Sequence, residues 1–329
     1  MIGNPPQDEA ALAALGVHLL PVPTPFLVGP VNCVLVEGDP LTLIDTSTRT
    51  DESWEGLVAG LREKGYAVSD IERVLLTHHH ADHTGNLRRI VDLSGAEVWG
   101  HPDLVRQAEL SHEHDEPQRR FFLDIMTEFG VPAETADGAM ALWAAFKEFT
   151  EPVHTDYVYE EGGMAGPYRT YFVPGHSATD TLLVHETQGY TVAGDHLLQI
   201  FNPNPLIRRP EPGQPRVRSL VEFRDSLLKS RSLELGRIIP GHGEPFADHR
   251  AVADGLLEQL EKRSVKLLNL LPDAGLTPYE TAKCLYPDVA VPNLYLALSV
   301  AIGQLELLES QGRLRAEHRD GILYFTRSG

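Results

Sequence analysis

Thr77-His78-His79-His80-Ala81-Asp82-His83 places four potential metal ligands, His78, His80, Asp82 and His83, within six residues. The preceding Arg73-Val74-Leu75-Leu76 reads as a buried strand, and Asp82-His83-Thr84-Gly85-Asn86 reads as the start of a helix. The cluster is therefore expected in a strand-to-helix loop. In an extended run, residues two apart face the same way, so His78 and His80 can grip one ion while His79 points elsewhere. Asp82 and His83 lie on the next bend and can reach a second ion. Imidazole nitrogen with carboxylate oxygen is the donor set expected for zinc, with iron or manganese also compatible.

Three further segments repeat this plan. Tyr171-Phe172-Val173-Pro174-Gly175 leads to His176, Tyr190-Thr191-Val192-Ala193-Gly194 leads to Asp195, and Arg237-Ile238-Ile239-Pro240-Gly241 leads to His242. Each is a short apolar strand, a glycine, then a ligand. Glycine lets the backbone turn sharply and pass close to a metal. If these strands lie side by side, the ligands gather along one sheet edge. His78, His80 and His176 would hold one ion, Asp82, His83 and His242 the other, with Asp195 between them. A lone histidine after a strand is usually a surface or core residue, and most of the 15 histidines need no special role. A dense cluster plus three strand-end ligands is harder to assign to packing.

With these residues in view, the chain resembles a metallo-β-lactamase-fold hydrolase. The family pattern His-x-His-x-Asp-His matches His78 to His83, and its later His, Asp and His match His176, Asp195 and His242. An early strand ending in aspartate fits Leu43-Ile44-Asp45-Thr46. The resemblance covers about residues 16–249. It implies an α/β fold, an αββα sandwich with a dinuclear metal site at one edge, and an Asp45 that orients ligands without binding metal. After His176 the chain departs from many relatives, reading Ser177-Ala178-Thr179-Asp180 in place of a Pro-Gly-His continuation.

The formal net charge is −19, and it is unevenly placed. Residues 250–329 hold 9 Lys or Arg and 10 Asp or Glu, which leaves 19 basic and 37 acidic residues, a balance of −18, in residues 1–249. The average field of that first part repels a polyanion such as DNA or RNA, although two dications would reverse its sign locally. An apolar content of 42% is ample for a core. No run of 18 or more apolar residues is present, so no membrane span is expected. The start, Met1-Ile2-Gly3-Asn4-Pro5-Pro6-Gln7-Asp8-Glu9, lacks the pattern of a signal peptide. Cys33 and Cys284 read as buried free thiols. A cytoplasmic protein is expected.

Two domains are expected, a catalytic domain over residues 1–249 and a winged-helix-like one over 250–329. Val31 to Val36 and Leu41 to Ile44 read as a hairpin. Asp51 is expected to cap a helix reaching Lys64, and a strand follows at Glu97 to Gly100. From about Pro102 to Glu151 the pattern turns helical: Phe121-Phe122, Ile125-Met126 and Phe129 recur at helix spacing, as do Met140, Leu142-Trp143 and Phe146. This insertion either packs over the sheet or forms a lid beside the metals. His112 and His114 within it read as solvent-exposed. Asn202-Pro203-Asn204-Pro205, shortly after Asp195, reads as a stiff loop. Asn202 or Asn204 is either a hydrogen-bond donor to substrate or a turn residue, and His196 reads as structural. A long helix is expected from about Ala251 to Leu271, a capping box at Thr277-Pro278-Tyr279-Glu280, a helix from Pro292 to about Leu308, and a final hairpin. Asn293 to Ile302 contains no Lys or Arg, so packing or dimerisation is favoured over nucleic-acid contact for this tail.

The function expected is that of a dinuclear metal-dependent hydrolase. It would use a hydroxide bridging two divalent ions, zinc first, to attack a small ester, thioester or lactone, with Asp82 both ligating metal and relaying a proton. A phosphodiesterase or ribonuclease of the same fold is the alternative. A mononuclear iron oxygenase or a binding protein on a dead scaffold would not need all seven ligands. The expected partner is a small-molecule substrate, with nucleic acid disfavoured, no membrane, and a second copy of the chain compatible with the tail.

Overall fold

The computed structural model describes residues 5–112, 116–149, 151–210 and 213–328, with the side chains of 5–8, 110–112 and 140–147 excepted. His112, His114, Met140, Leu142, Trp143 and Phe146 thus lie outside what is described of side chains.

Chain order gives helix α1 (Pro5–Ala13), strands β1 (Val17–Val22), β2 (Val31–Val36) and β3 (Thr42–Ile44), α2 (Asp51–Glu63), β4 (Arg73–Leu75), α3 (Ala81–Thr84), α4 (Leu87–Ser94) and β5 (Glu97–Gly100). The insertion follows as α5 (Leu104–His112), α6 (Glu116–Glu128) and α7 (Ala133–Phe146). Then come β6 (Tyr157–Val158), β7 (Met164–Ala165), β8 (Tyr168–Phe172), β9 (Thr181–His185), β10 (Tyr190–Gly194), α8 (Ser219–Ser232) and β11 (Arg237–Pro240). The chain closes with α9 (His249–Leu270), α10 (Pro278–Leu285), α11 (Leu294–Ser310) and the hairpin β12 (Leu314–Arg319) and β13 (Ile322–Arg327).

Strands β1 to β6 form one sheet in sequence order, and a second runs β11-β10-β9-β8-β7. Val34, Ile44 and Leu75 of the first share a buried cluster with Leu183, Val192 and Ile239 of the second, so the sheets pack face to face. Leu57, Leu61, Leu87 and Ile90 of α2 and α4 cover the outer face of the first. Leu220, Phe223, Leu227, Leu256 and Leu260 of α8 and α9 cover the second. The result is the expected αββα sandwich. β2 is buried along nearly its whole length and is rich in valine, whereas β1 tolerates the exposed Pro21 because among the described residues it is an edge strand, paired only with β2.

Strand direction places the ligands. β3, β4 and β5 are parallel, so Asp45 and the His78–His83 cluster emerge at the same sheet edge. β10 and β11 are parallel, and β8 and β10 are each antiparallel to β9, so His176, Asp195 and His242 also emerge together. The expectation that the ligand strands are neighbours in one sheet is corrected: β4 belongs to the first sheet, and β9 separates β8 from β10. The ligands converge because the two sheets stack.

Other expectations also change. Thr50, not Asp51, caps α2, because its side chain accepts from Ser53 N while Asp51 occupies the first turn, where a negative charge favours the helix start. Both cysteines are free, but only Cys33 is buried and Cys284 is exposed. The capping box at Thr277 and Glu280 forms as expected. Val291–Ser310 is long and apolar enough by composition to cross a membrane, yet 67% of its apolar 18-residue stretch is buried in the fold. Packing therefore accounts for its apolarity.

The insertion does not simply lie over the sheet. Phe122, Ile125, Met126 and Phe129 of α6 and its end share one buried cluster with Leu267, Ala282, Leu294, Leu298, Ile302 and Leu305 of the C-terminal helices and with Phe325 of the hairpin. Two segments far apart in sequence are one packing unit. Phe129→Ala is expected to destabilise the protein by about 3–5 kcal/mol. Hydrogen exchange should then accelerate in α10 and α11 together with α6, and acceleration confined to α6 would contradict a shared core.

Candidate metal centre

Asp45 directly follows β3 with φ 62°, a backbone region uncommon for a residue with a side chain, and its carboxylate is almost wholly buried. Thr77 N donates to Oδ1 at 2.9 Å. Thr77 Oγ1 donates to Oδ2 at 2.7 Å, and His83 Nδ1 lies 2.8 Å from the same oxygen. A carboxylate so placed fixes the His83 tautomer: Nδ1 carries the proton and Nε2 is left bare. Thr77 Oγ1 has already given its proton to Asp45, so at 3.1 Å it accepts from His78 Nδ1 and leaves His78 Nε2 bare as well. His242 Nδ1 donates to Pro30 O at 2.7 Å, with the same consequence.

These bare atoms face one another. His78 Nε2 and His80 Nδ1 are 3.1 Å apart. Two ligands on a tetrahedral ion with bonds of about 2.0–2.1 Å stand about 3.3 Å apart, so this spacing fits a shared cation. His78, His80 and His176 form one trio, and Asp82, His83 and His242 form a second, each with ligand atoms within 4.8 Å of one another. Asp195 touches both: Oδ2 lies 3.5 Å from His176 Nε2 and 3.6 Å from His242 Nε2, and Oδ1 lies 3.5 Å from His83 Nε2. Asp82 Oδ2 is 3.2 Å from His242 Nε2. His83 Nε2, both nitrogens of His176, Asp195 Oδ1 and His242 Nε2 are buried without a hydrogen-bond partner. A buried polar atom left unpaired is destabilising, and the four of these that face the cluster, on His83, His176, Asp195 and His242, are explained together by divalent cations. All seven residues singled out from the sequence are thus brought together, whereas His79 turns away, with its ring 2.9 Å from Thr179 Oγ1.

Glycine is required at one approach. A Cβ on Gly241 would lie 2.2 Å from Asp195 Oδ1 and 2.9 Å from His83 Cε1, so only a bare backbone passes there.

Electrostatics divide the trios. Burial pushes His78 well below the usual histidine range, helped by the neighbouring His83, His80 and His176. Burial and His176 bring His80 down to about 3. Burial also disfavours a charged His83, but Asp45, Asp82 and Asp195 outweigh it and raise His83 well above its ordinary value. His242 is raised likewise, against burial, by Asp195 and Asp82. Burial opposes ionisation of Asp195, yet His242 and His83 hold its carboxyl below the ordinary range.

Comparison with known proteins follows the same lines. The family model described as the metallo-beta-lactamase superfamily matches residues 27–242. The chain is 32% identical over 306 residues to the probable metallo-hydrolase YqjP of Bacillus subtilis (strain 168), covering 92% of this chain and 95% of that one. The chain belongs to the metallo-beta-lactamase superfamily, as a metal-dependent hydrolase. A crystal structure of a metallo-beta-lactamase family protein from Thermus thermophilus superimposes with a TM-score of 0.80 at 28% identity, over 95% of this chain and 98% of that one. A beta-lactamase domain protein from Burkholderia ambifaria shares the fold, with a TM-score of 0.75 at 20% identity, over 95% and 91% of the two chains.

Several residues that build this superfamily site had no signal in the sequence alone. Thr77 orients both Asp45 and His78. The departing stretch after His176 braces itself: Ser177 N and Oγ donate to Asp180 Oδ2 and Oδ1 at 2.8 and 2.6 Å, and Thr179 Oγ1 holds His79. Asn32 Nδ2 donates to Pro240 O and Gly243 O, clamping the turn that carries His242. Asn204 Nδ2 donates to Leu296 O, which ties the loop to the C-terminal helices. His196 is structural, with Nε2 2.7 Å from Ser230 Oγ.

Asp82 and Asp195 raise His83 and His242 above the ordinary histidine range, so protons compete with a cation for their Nε2 atoms. Metal affinity should therefore rise with pH until their raised pKa values are passed, and fall in acid. Calorimetric titration of metal into apoprotein, in buffers of different ionisation enthalpy, should show proton release near pH 7. Binding without proton release would contradict the assignment.

Proposed function

We propose that the protein is a dinuclear hydrolase of a small ester, thioester or lactone. The observation that carries this reading is the convergence of unpartnered buried ligand atoms of His83, His176, Asp195 and His242 on one point. His78, His80 and His176 would hold one divalent ion and Asp82, His83 and His242 the other. Asp195, within 3.6 Å of His83, His176 and His242, would lie between them. Zinc suits this nitrogen-rich donor set, and iron or manganese is compatible with it. The ions would supply a water acidified toward neutrality and a Lewis acid for the acyl oxygen.

The chain's own residues do the rest. Asp45 and Thr77 lock the ligand tautomers, so the centre needs little rearrangement to accept its cations. Asp82 is kept ionised: burial opposes its charge, but His83 and His242 overcome that. Its carboxylate at the edge of the trio can take a proton and return it to the leaving atom.

The alternative, a phosphodiesterase or ribonuclease, draws on the winged-helix-like order of the last helices and hairpin. Against it, α11 has no basic residue from Leu294 to Ile302, and most of it is buried, so it is not free to enter a groove. The free Cys33 and Cys284 suit a reducing, cytoplasmic setting.

Elemental analysis should find two divalent ions per chain. A panel of chromogenic esters, thioesters, lactones and bis-phosphate esters should give turnover on an acyl substrate. Cleavage of labelled RNA alone, abolished in His78→Ala, would overturn the substrate class. Asp195→Ala is expected to lose the two-ion state and most turnover, and wild-type rates in that variant would refute its bridging role. Asp45→Asn is expected to reduce metal affinity or activity by about 10–100-fold, and an unchanged metal titration would refute its role in orienting His83.

A further inference from the structure

Residues 196–210 run from the turn after Asp195 past the ligand cluster. Ile200 is 56% exposed and lies against the turn carrying His242, close enough that a Cβ on Gly243 would be 3.2 Å from its side chain. The Phe201 ring is centred 6.1 Å from the His242 ring. Apolar side chains therefore border the Asp82–His83–His242 trio on this side. Residues 199–210 contain no helix or strand, so no regular ladder holds this wall in place.

What holds it is the start of α11. Ile207 is buried, and both of its backbone groups are matched by side chains about ninety positions away. Its N–H donates to Ser299 Oγ at 3.2 Å, and its carbonyl accepts from Tyr295 Oη at 2.6 Å. Ser299 Oγ gives its own proton to Tyr295 O at 2.9 Å, which leaves a lone pair for Ile207. Asn204 Nδ2 donates to Leu296 O at 3.1 Å. Beyond Ile207, Arg208 pairs with Glu222 of α8, and Arg209 Nη1 donates to Gln118 of α6. The Tyr295 ring also packs edge-on against Phe122, 5.2 Å between centroids, inside the core shared with the insertion.

We propose that Tyr295 and Ser299 are positioning residues: by fixing Ile207 they set the wall of Ile200 and Phe201 beside His242, and with it a preference for substrates bearing an apolar acyl group. This rests on the hydrolase reading above. The C-terminal helices then act on selectivity without touching the ions. A purely structural α11 would instead hold the tail in place and leave selectivity alone.

The test uses the full-length, metal-loaded protein and its Tyr295→Phe and Ser299→Ala variants, assayed on p-nitrophenyl acetate, butyrate and octanoate. Wild type should favour the longer esters. Each variant should lower the butyrate-to-acetate ratio of kcat/KM by about fivefold to tenfold, the size expected from one neutral hydrogen bond. The change should fall on KM more than kcat, at unchanged metal content. Hydrogen exchange over residues 200–208 should accelerate in both variants. An unchanged ratio, an equal loss on all three esters, or no chain-length preference in wild type would overturn the proposal. If wild type hydrolyses no ester, the ester reading of the substrate fails separately. Exchange then decides the positioning role, which acceleration at 200–208 supports and an unchanged rate overturns.

Discussion

Asp45 uses both carboxylate oxygens inside the protein, and neither faces a candidate ion. One oxygen takes the Thr77 amide, and the other takes the Thr77 hydroxyl and the His83 ring. Because the Thr77 hydroxyl in turn accepts from His78, one buried acid sets the free nitrogen of a histidine in each trio. The backbone bends into the left-handed region to place it there. Strain of that kind persists where the surroundings over-determine it, and here they do: Asp45 N also donates to Leu75 O, tying the end of β3 to the end of β4. Without that carboxylate the loop of ligands would still follow a strand, but its rings would be free to choose the wrong tautomer.

The carboxylates also divide the two trios electrostatically. The trio without a carboxylate is poor in protons, since burial and mutual repulsion keep His78 and His80 neutral. In the trio beside Asp82 and Asp195 the carboxylates act the other way and raise His83 and His242 above the ordinary range.

The candidate ligands could be picked out because chemistry restricts such groups to few residue types and strand ends restrict them to few places. His78 to His83 form one local run, and the strand–Gly–ligand plan recurs at His176, Asp195 and His242. The sandwich was legible through the family resemblance that those residues carry. The braces were not. Asp45 and Thr77 are 32 positions apart, and Thr179 and His79 are 100 apart. A threonine that pairs across such distances looks locally like any other. Strand order was also hidden: the repeated plan suggests neighbours, but a hairpin partner, β9, intervenes and a second sheet supplies β4. The helical period of residues 121–129 identified a buried face without saying that its partner lay in the last third of the chain.

Charge and geometry together narrow what such a centre can serve. The −18 balance of residues 1–249 acts beyond the site, where a polyanion would have to lie along many acidic side chains at once. At physiological salt that field decays over about 8 Å, so a small substrate is barely steered by it and is met instead by whatever lines the mouth. On one side that lining is apolar, from Ile200 and Phe201, and it is anchored to a helix buried in the core shared by the insertion and the tail. A change in that distant core can therefore reach the substrate through Ile207, while Asp45 keeps the ligands themselves indifferent to it. Separating the two supports lets the mouth vary without disturbing the ions, and in a fold whose ligands are so tightly constrained, the mouth is where selectivity can be adjusted.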